Sequence, residues 1–154
     1  MKQHIIKTIM TFLFGILFII GCDNSTAPET PESATISGTI TFTGTWPTSG
    51  EVTVSLNAMW PPQGAPAAYA VITSSDVVND TYTYTFENVT FGTYPAIAVA
   101  HDNGSGNPAT SKTVLGAYGG SAIAYFGDAT STTVSTTEYT VTGLNFTSDL
   151  SLVP

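Results

Sequence analysis

Ala34-Thr35-Ile36-Ser37-Gly38-Thr39-Ile40-Thr41-Phe42-Thr43 is the stretch that decides the fold class. Ile36, Gly38, Ile40 and Phe42 recur at every second position, and threonine or serine fills the places between them. In an extended chain successive side chains point to opposite faces, so a period of two sends one set to a core and the other to water. β-Branched residues on both sets suit a pleated surface. Ten residues of this alternation predict a half-buried strand.

The same period returns along the chain. Glu51–Asn57 places Val52, Val54 and Leu56 inward, and residues 81–87 place Tyr82, Tyr84 and Phe86 inward with threonines between. Residues 69–73 read as a short strand. Residues 93–101 (TYPAIAVAH) form an apolar run, expected to be a central strand whose first pairing position is an edge or bulge because of Pro95. Residues 113–118, 122–126, 133–142 and 144–147 read as the remaining strands, the last with Leu144 and Phe146 inward. Between them lie a turn at 44–50, a loop at 58–68 too rich in proline for a sheet, a polar loop at 74–80, a turn at 88–92 and a Gly/Asn/Ser loop at 102–111. No window keeps a helical period. Short strands at this spacing predict an all-β fold, a seven- to eight-stranded β-sandwich over residues 34–154.

Ahead of that domain, residues 1–7 carry Lys2 and Lys7, and residues 8–20 (TIMTFLFGILFII) are uncharged and apolar. The run is shorter than the roughly 20 residues that cross a bilayer as a helix. A basic start, a short apolar run and a small residue describe a secretory signal peptide. The junction Ile19-Ile20-Gly21-Cys22 resembles the lipobox of bacterial lipoproteins. That resemblance implies cleavage after residue 21, diacylglycerol on the Cys22 thiol and, usually, acylation of the new amino group. The competing reading is an uncleaved anchor with an incidental cysteine. Several acyl chains hold a protein stably where one binds marginally, so the expected partner is the membrane, reached through lipid on Cys22. Asp23 resembles the inner-membrane retention signal of enterobacterial lipoproteins. Other phyla sort by other rules, and the choice between inner and outer membrane stays open. Residues 22–33 therefore read as the lipidated cysteine and a disordered spacer. DNSTAPETPES offers no large apolar side chain to offset the entropy of ordering it.

About 130 residues follow the junction, enough for one domain. All eleven acidic residues lie beyond Cys22 and face a single basic one there, Lys112, a net charge of about −10. Nucleic-acid binding, which needs Lys and Arg against phosphate, is excluded. The same charge disfavours docking on anionic headgroups. With Cys22 acylated no thiol remains for a disulfide, so the fold must rest on its core.

Two segments carry a family resemblance. Ile36-Ser37-Gly38-Thr39-Ile40, and Phe86-Glu87-Asn88-Val89-Thr90-Phe91-Gly92-Thr93-Tyr94, are similar to the first strand and the turn into a core strand of carboxypeptidase regulatory-like (transthyretin- or prealbumin-like) domains. Ala96-Ile97-Ala98-Val99-Ala100-His101-Asp102-Asn103 is similar to small exported bacterial prealbumin-like proteins. The resemblance covers about residues 34–102, and its motifs are structural. It implies a prealbumin-like, Ig-like sandwich and, since some members bind carbohydrate, a glycan as one candidate ligand. Relatives with internal Lys–Asn crosslinks place a lysine on the first strand, which this chain lacks, so that feature is not implied.

Chemistry is sparse. Beyond Cys22 there is one histidine, His101, which reads as a polar strand end beside Asp102. G-x-S-x-G and H-E-x-x-H are both missing from the chain. The carboxylates are scattered singly, unlike the paired acids of glycoside hydrolysis. A non-catalytic protein is expected. Too few His and Cys remain for a transition metal. Calcium needs only oxygens, and if strands alternate direction, Asp76, Asp80 and Asp102 gather at one end with Trp46. That trio is the candidate calcium site, weighed against solvated turns, and no other cofactor is expected. Trp46 and Trp60 lie in loops, where indoles stack on sugars or fill partner pockets. Strand alternation puts them at opposite ends, and each is weighed against a role capping the core. The N-x-S/T patterns at Asn24, Asn79, Asn88, Asn103 and Asn145 read as chance matches in a Thr-rich chain. The expectation is a lipid-anchored cell-envelope protein whose sandwich binds or scaffolds an envelope protein or a glycan, the alternative being a carbohydrate-binding accessory lipoprotein that uses its loop tryptophans.

Overall fold

The computed structural model describes residues 29–106, 112–120 and 129–154. Cys22, the signal-peptide reading of 1–21 and the strand expected at 122–126 lie outside the described residues. Within them the chain forms strands β1 (Ala34–Thr43), β2 (Glu51–Asn57), β3 (Ala68–Ile72), β4 (Thr81–Val89), β5 (Gly92–Tyr94), β6 (Ala96–Asp102), β7 (Lys112–Ala117), β8 (Thr132–Val134), β9 (Thr140–Val141) and β10 (Phe146–Asp149). Two short 3-10 turns, Ser74–Asp76 and Leu150–Leu152, complete the regular structure.

One sheet runs β10-β1-β4, with β9 also beside β1, and the other runs β3-β2-β6-β7. Their inner faces meet in one apolar cluster. Ile36, Ile40, Phe42, Tyr84 and Phe86 come from the first sheet, and Val52, Val54, Leu56, Ile97, Val99 and Leu115 from the second. The fold is all-β and sandwich-like, and the alternation read in β1, β2 and β4 is the alternation that fills the core.

Three expected strands are redrawn. Residues 93–101 divide at Pro95, which has no N–H to continue a ladder. β5 pairs with β8, while β6 lies between β2 and β7. Residues 133–142 divide into β8 and β9 at a turn closed by reciprocal Ser135–Glu138 backbone bonds of 3.0 and 3.2 Å. The last strand starts two residues later than expected, at Phe146, because Leu144 is used differently. β9 and β10 both run parallel to β1, and between them the chain crosses at Gly38. There Leu144 N donates to Ser37 O, Tyr84 Oη donates to Leu144 O at 2.7 Å, and Asn145 Oδ1 accepts from Thr39 N at 2.8 Å. The Asn145 amide thus takes the place of a strand partner. Burial, and secondarily the Tyr118 phenol, pushes the Tyr84 phenol far above its ordinary range.

Asp149 ends β10 and caps the final turn, accepting from Ser151 Oγ at 2.6 Å and Ser151 N at 2.9 Å. The hydroxyl bond, then the backbone bond, hold its carboxyl below the ordinary aspartate value. Its contribution to stability is therefore complete above the unfolded-state value of about 4 and is lost as pH falls through the lower folded value. Between about pH 5 and pH 3 the melting temperature of the wild type is expected to fall further than that of Asp149→Asn. Parallel melting curves for the two proteins would remove Asp149 from the acid response.

Candidate functional site

A groove of about 560 Å³ runs along the outer face of the β3-β2-β6-β7 sheet. Its floor follows from strand register. Thr53 and Ser55 of β2 point outward because Val52, Val54 and Leu56 point in, and they stand opposite Ala100 and Ala98 of β6. Four small side chains in the middle of the sheet leave a trough. Larger groups raise its margins: Tyr69 on β3, 63 % exposed, and Trp60 with Pro62 and Pro66 from the loop that folds back from the end of β2. That loop is anchored by Ala67 N donating to Leu56 O at 2.8 Å.

The polar groups of the floor are held in place. Asn57, nearly fully buried, donates from Nδ2 to Ser55 Oγ at 3.1 Å and to Ser55 O at 3.3 Å. Ser55 Oγ in turn lies 3.4 Å from Ala98 O. At the opposite end of the groove Glu51, Asp102 and Lys112 form one cross-strand row, with Lys112 Nζ 3.8 Å from Asp102 Oδ2. Volumes of about 300–1,000 Å³ are usual for small-ligand sites. This trough can receive a polar, ring-bearing ligand lying flat on Ser and Thr hydroxyls with aromatic groups at its side.

The residues singled out from sequence fall in different places. Trp60 lines the groove. Trp46, half-buried, packs edge-on against Phe42 with ring centroids 5.4 Å apart and rests on the core at the other end of the domain. Register puts Asp76, Asp80 and Asp102 at that end too, but does not make them a ligand set. Each carboxylate or carbonyl serves its own turn. Asp76 Oδ2 accepts from Thr73 Oγ1 at 2.6 Å and Thr73 N at 2.8 Å, bonds that hold its carboxyl below the ordinary value. Asp80, at φ 59°, presents its carbonyl to Phe42 N. Asp102 Oδ1 accepts from Gly104 N. Among the described residues no group of three or more His, Cys, Asp or Glu is placed to share a metal ion.

His101 departs from the polar strand end read in the sequence. It pairs with Val52 on the inner face, is 3 % exposed, and its Nε2 lies 2.9 Å from Ser49 O. It pins the 44–50 loop from within the core, on the face of β6 opposite Asp102.

Tyr69, Asn57, Ser55 and Thr53 were not picked out from sequence. The available signal was Ala96, Ala98 and Ala100 at alternate positions of a central strand, a face of small side chains beside the outward Ser and Thr of β2. No protein-family model, curated protein or solved structure matches the chain.

Proposed function

We propose that the chain is an exported lipoprotein, anchored to the cell envelope through lipid on Cys22, whose prealbumin-like sandwich is a non-catalytic module that binds a glycan along the groove. The observation that carries this reading is the combination at one site of an aromatic margin, Trp60 and Tyr69, with a floor of Thr53 and Ser55. Sugar rings offer apolar C–H faces to aromatic groups and hydroxyls to short polar side chains, and this groove supplies both. An envelope protein is the second reading. β3 is the edge of its sheet and exposes Val71 beside Tyr69, a strand that a partner chain can extend.

The test has two arms. In a bacterial host the chain is expected to incorporate labelled fatty acid, and Cys22→Ala to incorporate none; equal labelling would overturn the anchor. The purified protein is expected to be retarded in native gels containing a soluble polysaccharide from a panel of neutral and acidic glycans. Tyr69→Ala should weaken that retardation about tenfold, equivalent to about 1.4 kcal/mol. No retardation by any polysaccharide in the panel would discard the glycan and leave the protein partner.

A further inference from the structure

The loop at 58–67 reads AMWPPQGAPA, ten residues without a charge and with Gln63 as the one long polar side chain. Connecting loops lie in water and are ordinarily polar. This one is divided by alternation. Trp60, Pro62, Gly64 and Pro66 line the groove. Met59, Pro61, Gln63 and Ala65 are exposed and are not part of that lining, Met59 being 52 % exposed and Gln63 the one polar side chain among the four. The loop leaves the end of β2, and the β1–β2 connection and the Asn57–Ala96 pairing put that end of the sheet where β1 begins. The chain therefore enters the domain, at Ala34, at the same end as this loop.

We infer that the Met59, Pro61 and Ala65 face of this loop seats in the interfacial layer of the membrane to which the chain is tethered, fixing the domain's orientation on the bilayer. The inference rests on the lipid-anchor reading above. From Cys22 to Ala34 the chain can span at most about 43 Å, twelve residue steps of about 3.3–3.6 Å. The tethered end thus stays within reach of the lipid surface, and the high effective concentration makes a weak contact sufficient. The contact is apolar, not electrostatic: the loop is uncharged, and Lys112 stands at the far end of the sheet. Glu29 and Glu32 lie beside Tyr139 at the same end, a charged corner that favours water and leaves the uncharged 58–67 loop as the point of contact. In this orientation the Trp60 end of the groove faces the bilayer, and the Glu51–Lys112 end faces away from it.

The test uses the full-length, processed lipoprotein in phosphatidylcholine vesicles. Its sole cysteine is acylated in this reading, so Met59→Cys or Val78→Cys gives one free thiol for a solvent-sensitive dye. Val78, also exposed, sits in the turn at the opposite end and is the control. Both labelled variants are first required to melt like wild type. The expected result is a blue shift at position 59 and quenching there by brominated lipid, with neither at position 78. Flotation with the vesicles but no quenching at position 59 would overturn the docking and leave the anchor intact. Failure to float would overturn both. Protection of position 59 only when other envelope proteins are added would overturn the bilayer as occupant in favour of a protein.

Discussion

Gly38→Ala is expected to be among the most damaging single-methyl changes in the domain. A Cβ at this position would overlap the Leu144 carbonyl oxygen and stand 2.7 Å from the Tyr84 hydroxyl. Neither neighbour can yield. The carbonyl belongs to the backbone crossing between β9 and β10, and the phenol is held by its 2.7 Å bond to that carbonyl. Moving Leu144 away would strand a buried hydroxyl and loosen the Thr39–Asn145 bond beside it. Overpacking of about 1–3 kcal/mol, together with an unpaired buried donor at about 1–3 kcal/mol, predicts a loss of about 3 kcal/mol or more. Set against a total of about 5–15 kcal/mol for a domain, that is a large share. Urea denaturation measures it through the midpoint. Gly64→Ala, whose Cβ would meet nothing within 4 Å, is the matched control. A midpoint for Gly38→Ala equal to that of the control would show that the crossing is not packed as described.

The two tryptophans are expected to separate into different phenotypes. Trp46 lies against Phe42 and the core, so Trp46→Ala removes packing and should cost about 2–3 kcal/mol, below the about 3–5 kcal/mol of a fully buried aromatic because Trp46 is only half-buried. It lies at the end of the domain away from Trp60, and glycan retardation should be unchanged. Trp60→Ala should leave retardation at least about tenfold weaker, with a smaller change in the denaturation midpoint than Trp46→Ala. Equal loss of binding in both variants would mean that the groove is not the site. Loss of stability in Trp60→Ala without loss of binding would make Trp60 a packing residue and remove its role in the glycan margin.

What the sequence made legible follows from how locally each feature is determined. The strands β1, β2 and β4 announce themselves because one face is buried and the other wet, and Ile36, Val54 and Tyr84 each sit where the period of two puts them. The break at Pro95 was visible as a weak pairing point, but the exchange of partners across it depends on β8, forty residues away in sequence. Leu144 looked like an inward strand residue. It is buried, yet as part of a crossing made possible by Gly38, a tertiary contact that no local pattern encodes. The common end for Asp76, Asp80 and Asp102 followed from strand alternation. Their dispersal into separate turns followed from local bonds to Thr73 and Gly104, which composition does not reveal. Trp60 was recognisable as an indole in a proline-rich loop. That the loop would turn back to wall the trough beside Ala98 and Ser55 depends on its anchor at Leu56, and so the groove itself stayed hidden.

The placement of β9 and β10 has a consequence for the order of events in folding. β1 receives its second neighbour from residues 140–149, which lie more than a hundred positions along the chain, as the Thr39–Asn145 bond illustrates with its separation of 106. Loops of that length must close before their contacts repay the lost entropy, which makes such topologies slow to form. In the export proposed above, with the amino terminus leading, β1 would emerge early and wait with one edge open until residues 140–149 had followed. On that proposal the late pairing of β1 would disfavour premature folding before translocation and keep the polypeptide threadable.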